Sequence, residues 1–432
     1  MKRSWFFILV FTGMLAVPGS GAQQPGLIVR DTLGLTHLNI LCPLLGCQIV
    51  EDLGDPQSQL FLVTPTLLGS LDRLLEILPL QPGVVSVEVN QVVNLIATEP
   101  LTFIPDGLAN AFLVDYYGTL VWQGYLVQPA SSIIRITETQ KRFHVSGSAV
   151  VAIIDTGVDP LHPALVPVLM PGYDFVHNAN GADEKGDLDH STVAVLDGGG
   201  GSPTYVNPWT AAVVSQAAAA ALNTSDYVAF GHGTMVAGIV HLVAPTAKIL
   251  PLKAFSSDGT GYASDIIRAI YFATAQGSKV VSMSFSFGSS SSAMSDAINY
   301  ANSQGVVCVA AAGNQGEQIK VYPASFSQVM GVASTSNEDM LSSFSNYGPQ
   351  VVWVAAPGEN IVSTYPYDTY ASSSGTSFST PFVSGSVALL ANVDKSVDQA
   401  EAANAIGHAQ YISPQLNRGL LDTYQAVQSI EH

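Results

Sequence analysis

The chain is short of cysteine, short of positive charge, and short of long apolar runs beyond its first twenty residues. Three cysteines in 432 residues cannot build a disulfide framework, so apolar burial must hold the fold. Cys42 and Cys47, in CPLLGC, can pair in an oxidising compartment. Cys308, in GVVCVAAAGN, reads as a small buried apolar residue, since no neighbouring base suggests an activated thiolate. Lys and Arg number 15 against 33 Asp and Glu, a formal net charge of −18. That balance disfavours nucleic acid or an anionic membrane as a partner held by a general electrostatic field. No later segment offers the roughly 18 uninterrupted apolar residues of a membrane span. What is present points to a globular protein: 47% of residues are apolar and 11% charged, which excludes a disordered or fibrous chain.

The N-terminus has the pattern of a secretory signal over residues 1–22. Lys2 and Arg3 precede an apolar stretch from Trp5 to Val17, then PGSGAQQ supplies small residues for cleavage. An uncleaved anchor is the alternative. The expected location is secreted or periplasmic, with no membrane association after signal removal.

Residues 23–97 have a character of their own. Runs such as QLFLVT and VVSVEVNQVVNLI read as strands. TLLGSLDRLLEILPL carries Leu67, Leu71, Leu74, Leu75 and Leu78 at helical spacing, and a weaker helix covers 35–45. The order βαββαβ predicts a small ferredoxin-like α+β module. Residues 98–124 break the pattern and read as a connector. From 125 to 432, AVVAIID, AKILPLKAF, KVVSMSF, GVVCVAAA and VVWVAAPG are strands buried on both faces, alternating with amphipathic stretches. This predicts an α/β domain with a mostly parallel sheet and helices on both faces. Residues 178–229 interrupt it as a surface insertion with a helix around 209–222. Asp183, Asp187 and Asp189 in that insertion are of a type that binds calcium, but their spacing completes no ligand loop. A solvated acidic loop is expected there, and no metal site or cofactor.

Three segments supply an acid, a base and a nucleophile. Asp155 ends AVVAIID, at the carboxyl edge of a buried strand where α/β sheets bind ligands; a turn aspartate is the alternative. His232 stands between two glycines at the start of an apolar helix, where a capping or surface histidine is the bland option. No second histidine follows at i+4 to suggest metal binding, since Val236 stands there. Ser377, in GTSFSTPFVSG, is placed at a helix N-terminus by Pro381, which is tolerated only near a helix start. An ordinary N-cap is the alternative. Asn314, in VCVAAAGNQG, follows another buried strand and can donate its amide to an oxyanion, or else simply occupy a turn. The Asp-Thr-Gly at 155–157 also suggests an aspartic protease, but no second such tripeptide supplies the paired carboxylate.

Taken together, DTGVD, GHGTMVAG, GTSFSTP and AAAGN resemble the signatures of the subtilisin-like serine proteases, in the chain order Asp, His, Ser. FSNYG, APGENIVST and GLLDTYQAV are similar to further landmarks of that family, and the resemblance covers about residues 125–432. It implies a serine endopeptidase with Asp155, His232 and Ser377 catalytic and Asn314 in the oxyanion hole. It also implies substrate contacts from Ser284, Phe285 and Ser286 in SMSFSF, from Gly259 and Gly261 in DGTGYAS on the opposite wall, from Gly313, and from Val321 at the pocket floor. Ser286 and Phe287 stand where the family commonly has glycine, which narrows or reshapes the pocket. Residues 23–97 resemble the family's inhibitory propeptide, making the chain a zymogen with a maturation site in 98–124. Protein or peptide substrates, the chain's own propeptide and a monomeric state are the expected partners and assembly. Two other functions remain open: a catalytically weak peptide-binding protein, and a hydrolase of small esters.

Overall fold

Strands rich in Val, Ile and Ala, covered on both faces, form the centre of the molecule. In the computed structural model, residues 25–95, 104–198, 203–207 and 210–431 are described. The signal expected at 1–22 lies outside them, as do residues 96–103 and 199–202. The main sheet has eight strands. From one edge they are Ala179–Asn180, Tyr173–Asp174, Lys248–Lys253, Val150–Asp155, Val280–Met283, Val307–Ala311, Met330–Thr335 and Val354–Pro357. Every pairing is parallel except that of the short edge strands 173–174 and 179–180.

The period-2 alternation of a strand divides the core. Val151 and Ile153 face one cluster with the helices His232–Val243 and Thr376–Val393. Ala152 and Ile154 face the other, with Ala263–Ala275 and Ser292–Ser303. Asp155, Ser284 and Asn314 all follow from the carboxyl ends of these strands, so the sheet itself brings them to one edge.

The N-terminal module has the order βαββαβ, with strands Leu27–Asp31, Cys47–Asp52, Leu60–Pro65 and Val84–Val89 and helices Gly34–Leu45 and Leu71–Ile77. Its antiparallel sheet runs second, third, first, fourth, the ferredoxin-like arrangement. Leu27, Val29, Phe61 and Val63 face its own helices. Ile28, Leu60 and Leu62 point the other way, into the core cluster of the large domain. Cys42 and Cys47 form a disulfide between helix end and strand start, with Cα atoms 4.5 Å apart.

Two segments differ from expectation. The described part of 98–124 holds a short helix, Asp106–Ala109, and a hairpin, Leu113–Tyr116 with Thr119–Trp122. Tyr116 in that hairpin donates its hydroxyl to the Leu242 carbonyl at 2.6 Å, which ties the segment to the body. The helix expected around 209–222 begins only at Gln216, where the Ser215 hydroxyl caps it by accepting from Ala218 N–H at 3.1 Å. Ahead of it, Thr210–Val213 is a strand paired antiparallel with Thr369–Ser373, because that neighbour offers an open ladder. Among the described residues, no helix is long and apolar enough to cross a membrane.

Candidate active site

Asp155 and His232 meet directly: His232 Nδ1 lies 2.7 Å from Asp155 Oδ1. Asp155 Oδ1 also accepts from Thr156 N–H at 2.7 Å. His232 is the first residue of its helix, and its two glycine neighbours are required by space. Gly231 has φ 86°, and a Cβ there meets Tyr365 Cε2 at 2.0 Å. A Cβ on Gly233 meets the Gly157 carbonyl at 2.0 Å, just past the Asp155 strand. Glycine thus lets the helix start approach the strand end closely enough for imidazole and carboxylate to bond. His232 is 9% exposed and Asp155 1%, so the pair is largely screened from water.

Ser377 lies in the first turn of Thr376–Val393. Pro381 cannot donate an N–H to the carbonyl four residues earlier, which is that of Ser377. Ser284 takes the place of that donor: its hydroxyl reaches the Ser377 carbonyl at 2.9 Å. In return, the Ser377 hydroxyl donates to the Ser284 carbonyl at 2.9 Å. His232 Nε2 has no hydrogen-bond partner among the described residues. The His232 ring packs on Phe378, the residue after Ser377, with centroids 5.2 Å apart. The helix start is therefore beside the imidazole, while the Ser377 hydroxyl is turned to Ser284.

Asn314 is locked in one orientation. Its Oδ1 accepts from Thr376 N–H at 3.0 Å and from the Thr376 hydroxyl at 2.8 Å, which fixes the oxygen end of the amide. Gly313 N–H in turn donates to Thr376 Oγ1 at 3.2 Å. Gly313, Asn314 and Thr376 are thereby tied together immediately before Ser377.

Of the residues expected to contact substrate, Gly259, Gly261 and Phe285 are all met by one segment of the chain itself, residues 92–95. Val92–Asn94 pairs antiparallel with Thr260–Tyr262, setting Val93 opposite Gly261. Leu95 N–H donates to the Gly259 carbonyl at 2.8 Å, and Leu95 bridges Phe285 on the far wall. Val93 is fully buried in the cluster that contains Phe285, Ala263 and Ile266. Phe287 exchanges two backbone hydrogen bonds of 2.8 Å with Tyr322, next to the buried Val321. Phe287 thus joins the segment after Val280–Met283 to the chain at Val321–Pro323, and the neighbouring Ser286 is half-buried.

The acidic loop departs most from the sequence. Asp183 and Asp189 cap short helical segments through their carboxylates. Asp187 accepts from the fully buried Lys253 ammonium at 2.7 Å and from Ser257 N–H at 2.7 Å. Glu184, which sequence reasoning passed over, is buried beneath His232 and accepts from Gly231 N–H and Thr234 N–H on either side of it. Burial pushes its carboxyl up to about 8, against the pull of those hydrogen bonds and of Lys253, with Asp155 adding to the rise. Cys308 is buried, and burial raises its thiol to about 12, which leaves it inert as a nucleophile.

Comparison with known proteins bears on this arrangement. Residues 146–425 match the model of the Subtilase family. Thermitase from Thermoactinomyces vulgaris is 38% identical over 282 residues, covering 65% of this chain and 88% of thermitase. A thermophilic serine proteinase from Bacillus sp. (strain AK1) is 36% identical over 274 residues, 63% of this chain and 58% of that protein. Subtilisin BL from Lederbergia lenta is 38% identical over 183 residues, 40% of this chain and 68% of its own length.

Proposed function

The chain belongs to the subtilase family and is a serine-type endopeptidase, and from that premise we propose that Ser377, His232 and Asp155 carry the reaction in an exported, self-inhibited precursor. The observation that carries this proposal is the 2.7 Å contact between His232 Nδ1 and Asp155 Oδ1. It holds the tautomer with Nδ1 protonated, so Nε2 is the basic nitrogen.

The Ser377 hydroxyl, on rotating from the Ser284 carbonyl to His232 Nε2, gives up its proton as it attacks the scissile carbonyl. Asp155 stabilises the imidazolium that forms. The Asn314 amide and the Ser377 N–H donate to the oxyanion. His232 then protonates the departing amine, and water resolves the acyl-enzyme by the same route in reverse.

Self-inhibition is supported by the Val92–Asn94 strand in the cleft and by the fold of residues 27–89 that delivers it. Export is supported by the signal pattern at 1–22. A Ser377→Ala variant is expected to fold and to keep residues 27–95 attached. Gel analysis and a casein assay check this; maturation and casein cleavage by the variant alone would sink the assignment.

A second reading, a peptide-binding protein with weak turnover, draws on the Ser377 hydroxyl being bonded to Ser284 rather than to His232. Labelling of Ser377 by a fluorophosphonate probe separates the two.

A further inference from the structure

Glu184 sits in the stretch that the sequence presents as a solvated acidic loop, yet it is 1% exposed. Four donors converge on its carboxyl group. Gly231 N–H at 2.5 Å and the Thr156 hydroxyl at 3.2 Å reach Oε1. Thr234 N–H at 3.1 Å and the Thr234 hydroxyl reach Oε2. Thr156 directly follows Asp155, while Gly231 and Thr234 flank His232. One side chain therefore fastens the strand end that carries the acid to the helix start that carries the base.

The charged and titratable groups around it come from every packed element. Asp155 and His232 lie on the two fastened elements, Lys253 on the adjacent strand, and Tyr365 on the strand Ile361–Tyr365. On its own turn stand Asp183, Lys185 and Asp187, the last two paired with Asp159 and Lys253 at 2.7 Å each.

Thr156 links this carboxyl to the catalytic one. Its hydroxyl lies 3.2 Å from Glu184 Oε1 and 3.3 Å from Asp155 Oδ1, and it accepts from Gly233 N–H at 3.0 Å. The hydroxyl has one proton to give. When Glu184 is ionised, that proton goes to Glu184. When Oε1 holds a proton, Glu184 donates to Thr156, whose own proton then turns to Asp155.

Resting on the catalytic roles proposed above, we propose that Glu184 is a positioning residue for His232, and that its protonation state reaches Asp155 through the Thr156 hydroxyl. Loss of the Glu184 proton adds a negative charge beside the pair and withdraws a donor from Asp155. Both changes stabilise the positive charge that the ring carries while it holds the Ser377 proton, so the effect appears on the alkaline side. The position of the Glu184 carboxyl, about 8, places that step within an accessible pH range.

The test is the pH dependence of kcat and KM for the matured enzyme, with active sites counted by a fluorophosphonate probe. Variants that fail to mature themselves are cleaved with a zinc protease later stopped by a chelator. The wild type is expected to show two ionisations in kcat, the second rising near pH 8. Glu184→Gln removes the titrating group, and its amide cannot accept from both backbone N–H groups. It is expected to lose the second step and about fivefold or more of kcat at high pH, with KM within about twofold. Thr156→Ser keeps the hydroxyl and is expected to keep the step, whereas Thr156→Val loses it. Should Glu184→Gln not fold, the two Thr156 variants decide. Superimposable wild-type and Glu184→Gln profiles, or an alkaline step retained in Thr156→Val, would overturn the inference. A wild-type Ser377 that takes up no probe would instead defeat the catalytic reading on which it rests.

Discussion

At Ser377 the helix and the pocket strand are joined by two hydrogen bonds, and Pro381 is the reason one of them exists. A proline in mid-helix normally leaves a carbonyl without a partner. Here the Ser284 hydroxyl meets that carbonyl, and the Ser377 hydroxyl bonds back to Ser284. Ser284→Ala leaves a buried carbonyl unsatisfied, so a stability loss of about 1–3 kcal/mol is expected. Urea denaturation of the Ser377→Ala background, where self-digestion is absent, measures it; an unchanged midpoint would mean the bond is dispensable. Asn314 invites a different test, because its oxygen is committed to Thr376 and only its amide nitrogen can serve an oxyanion. Asn314→Leu is expected to lower kcat by about 10²–10³ with KM little changed, as befits a contact made only in the transition state. Steady-state kinetics on a short peptide substrate would show it, and a loss confined to KM would assign Asn314 to ground-state binding instead.

Elements that owe their form to local pattern were legible, and those that owe it to distant partners were not. The run AVVAIID announces a buried strand and sets Asp155 at its end, and Pro381 places Ser377 near a helix start, without reference to anything else. Glu184 gives no such sign. Its neighbours in GADEKGDLDHS are those of a solvated loop, and its burial depends on donors 28, 47 and 50 residues away in sequence. The same holds for Thr210–Val213, whose β-branched ends become a strand only because Thr369–Ser373 offers an edge. Strand pairing also sharpens the expected maturation point. Leu95 bridges Phe285 antiparallel, and Phe285 is next in sequence to Ser284, the residue bonded to Ser377, so the segment that follows Leu95 is the one expected to reach Ser377. Hydrolysis is then expected in the first part of the 98–124 connector, ahead of Pro105. N-terminal sequencing of the self-processed protein checks this, and a start beyond Pro105 would show that the strand in the cleft is not the one presented to Ser377.

On the scale of the whole molecule, a net charge of −18 makes general attraction between the N-terminal module and the body a poor source of cohesion, so specific contacts must hold the two together. The module's second sheet face brings Ile28, Leu60 and Leu62 to the body, and ion pairs frame that contact. Arg268 meets Glu51 at 2.7 Å, and Arg30 reaches Asp296 at 3.1 Å. The half-buried Glu88 does something an ordinary ion pair cannot. It accepts from Ser292 N–H and the Ser292 hydroxyl at 2.9 Å each, and from the Ser291 hydroxyl, which puts a carboxylate from the module at the N-terminus of the body's Ser292–Ser303 helix. A charge there satisfies unpaired N–H groups and meets the positive end of the helix dipole. Such a cap is worth about 1 kcal/mol or somewhat more, which corresponds to roughly a tenfold change in affinity. Glu88→Ala is therefore expected to leave folding and cleavage intact while releasing the module about tenfold faster after processing. The lag before peptidase activity appears reports that release, and Glu88→Gln, which keeps an acceptor but no charge, should fall between the two. A lag unchanged in Glu88→Ala would mean that the apolar face and the strand in the cleft hold the module without help from the helix.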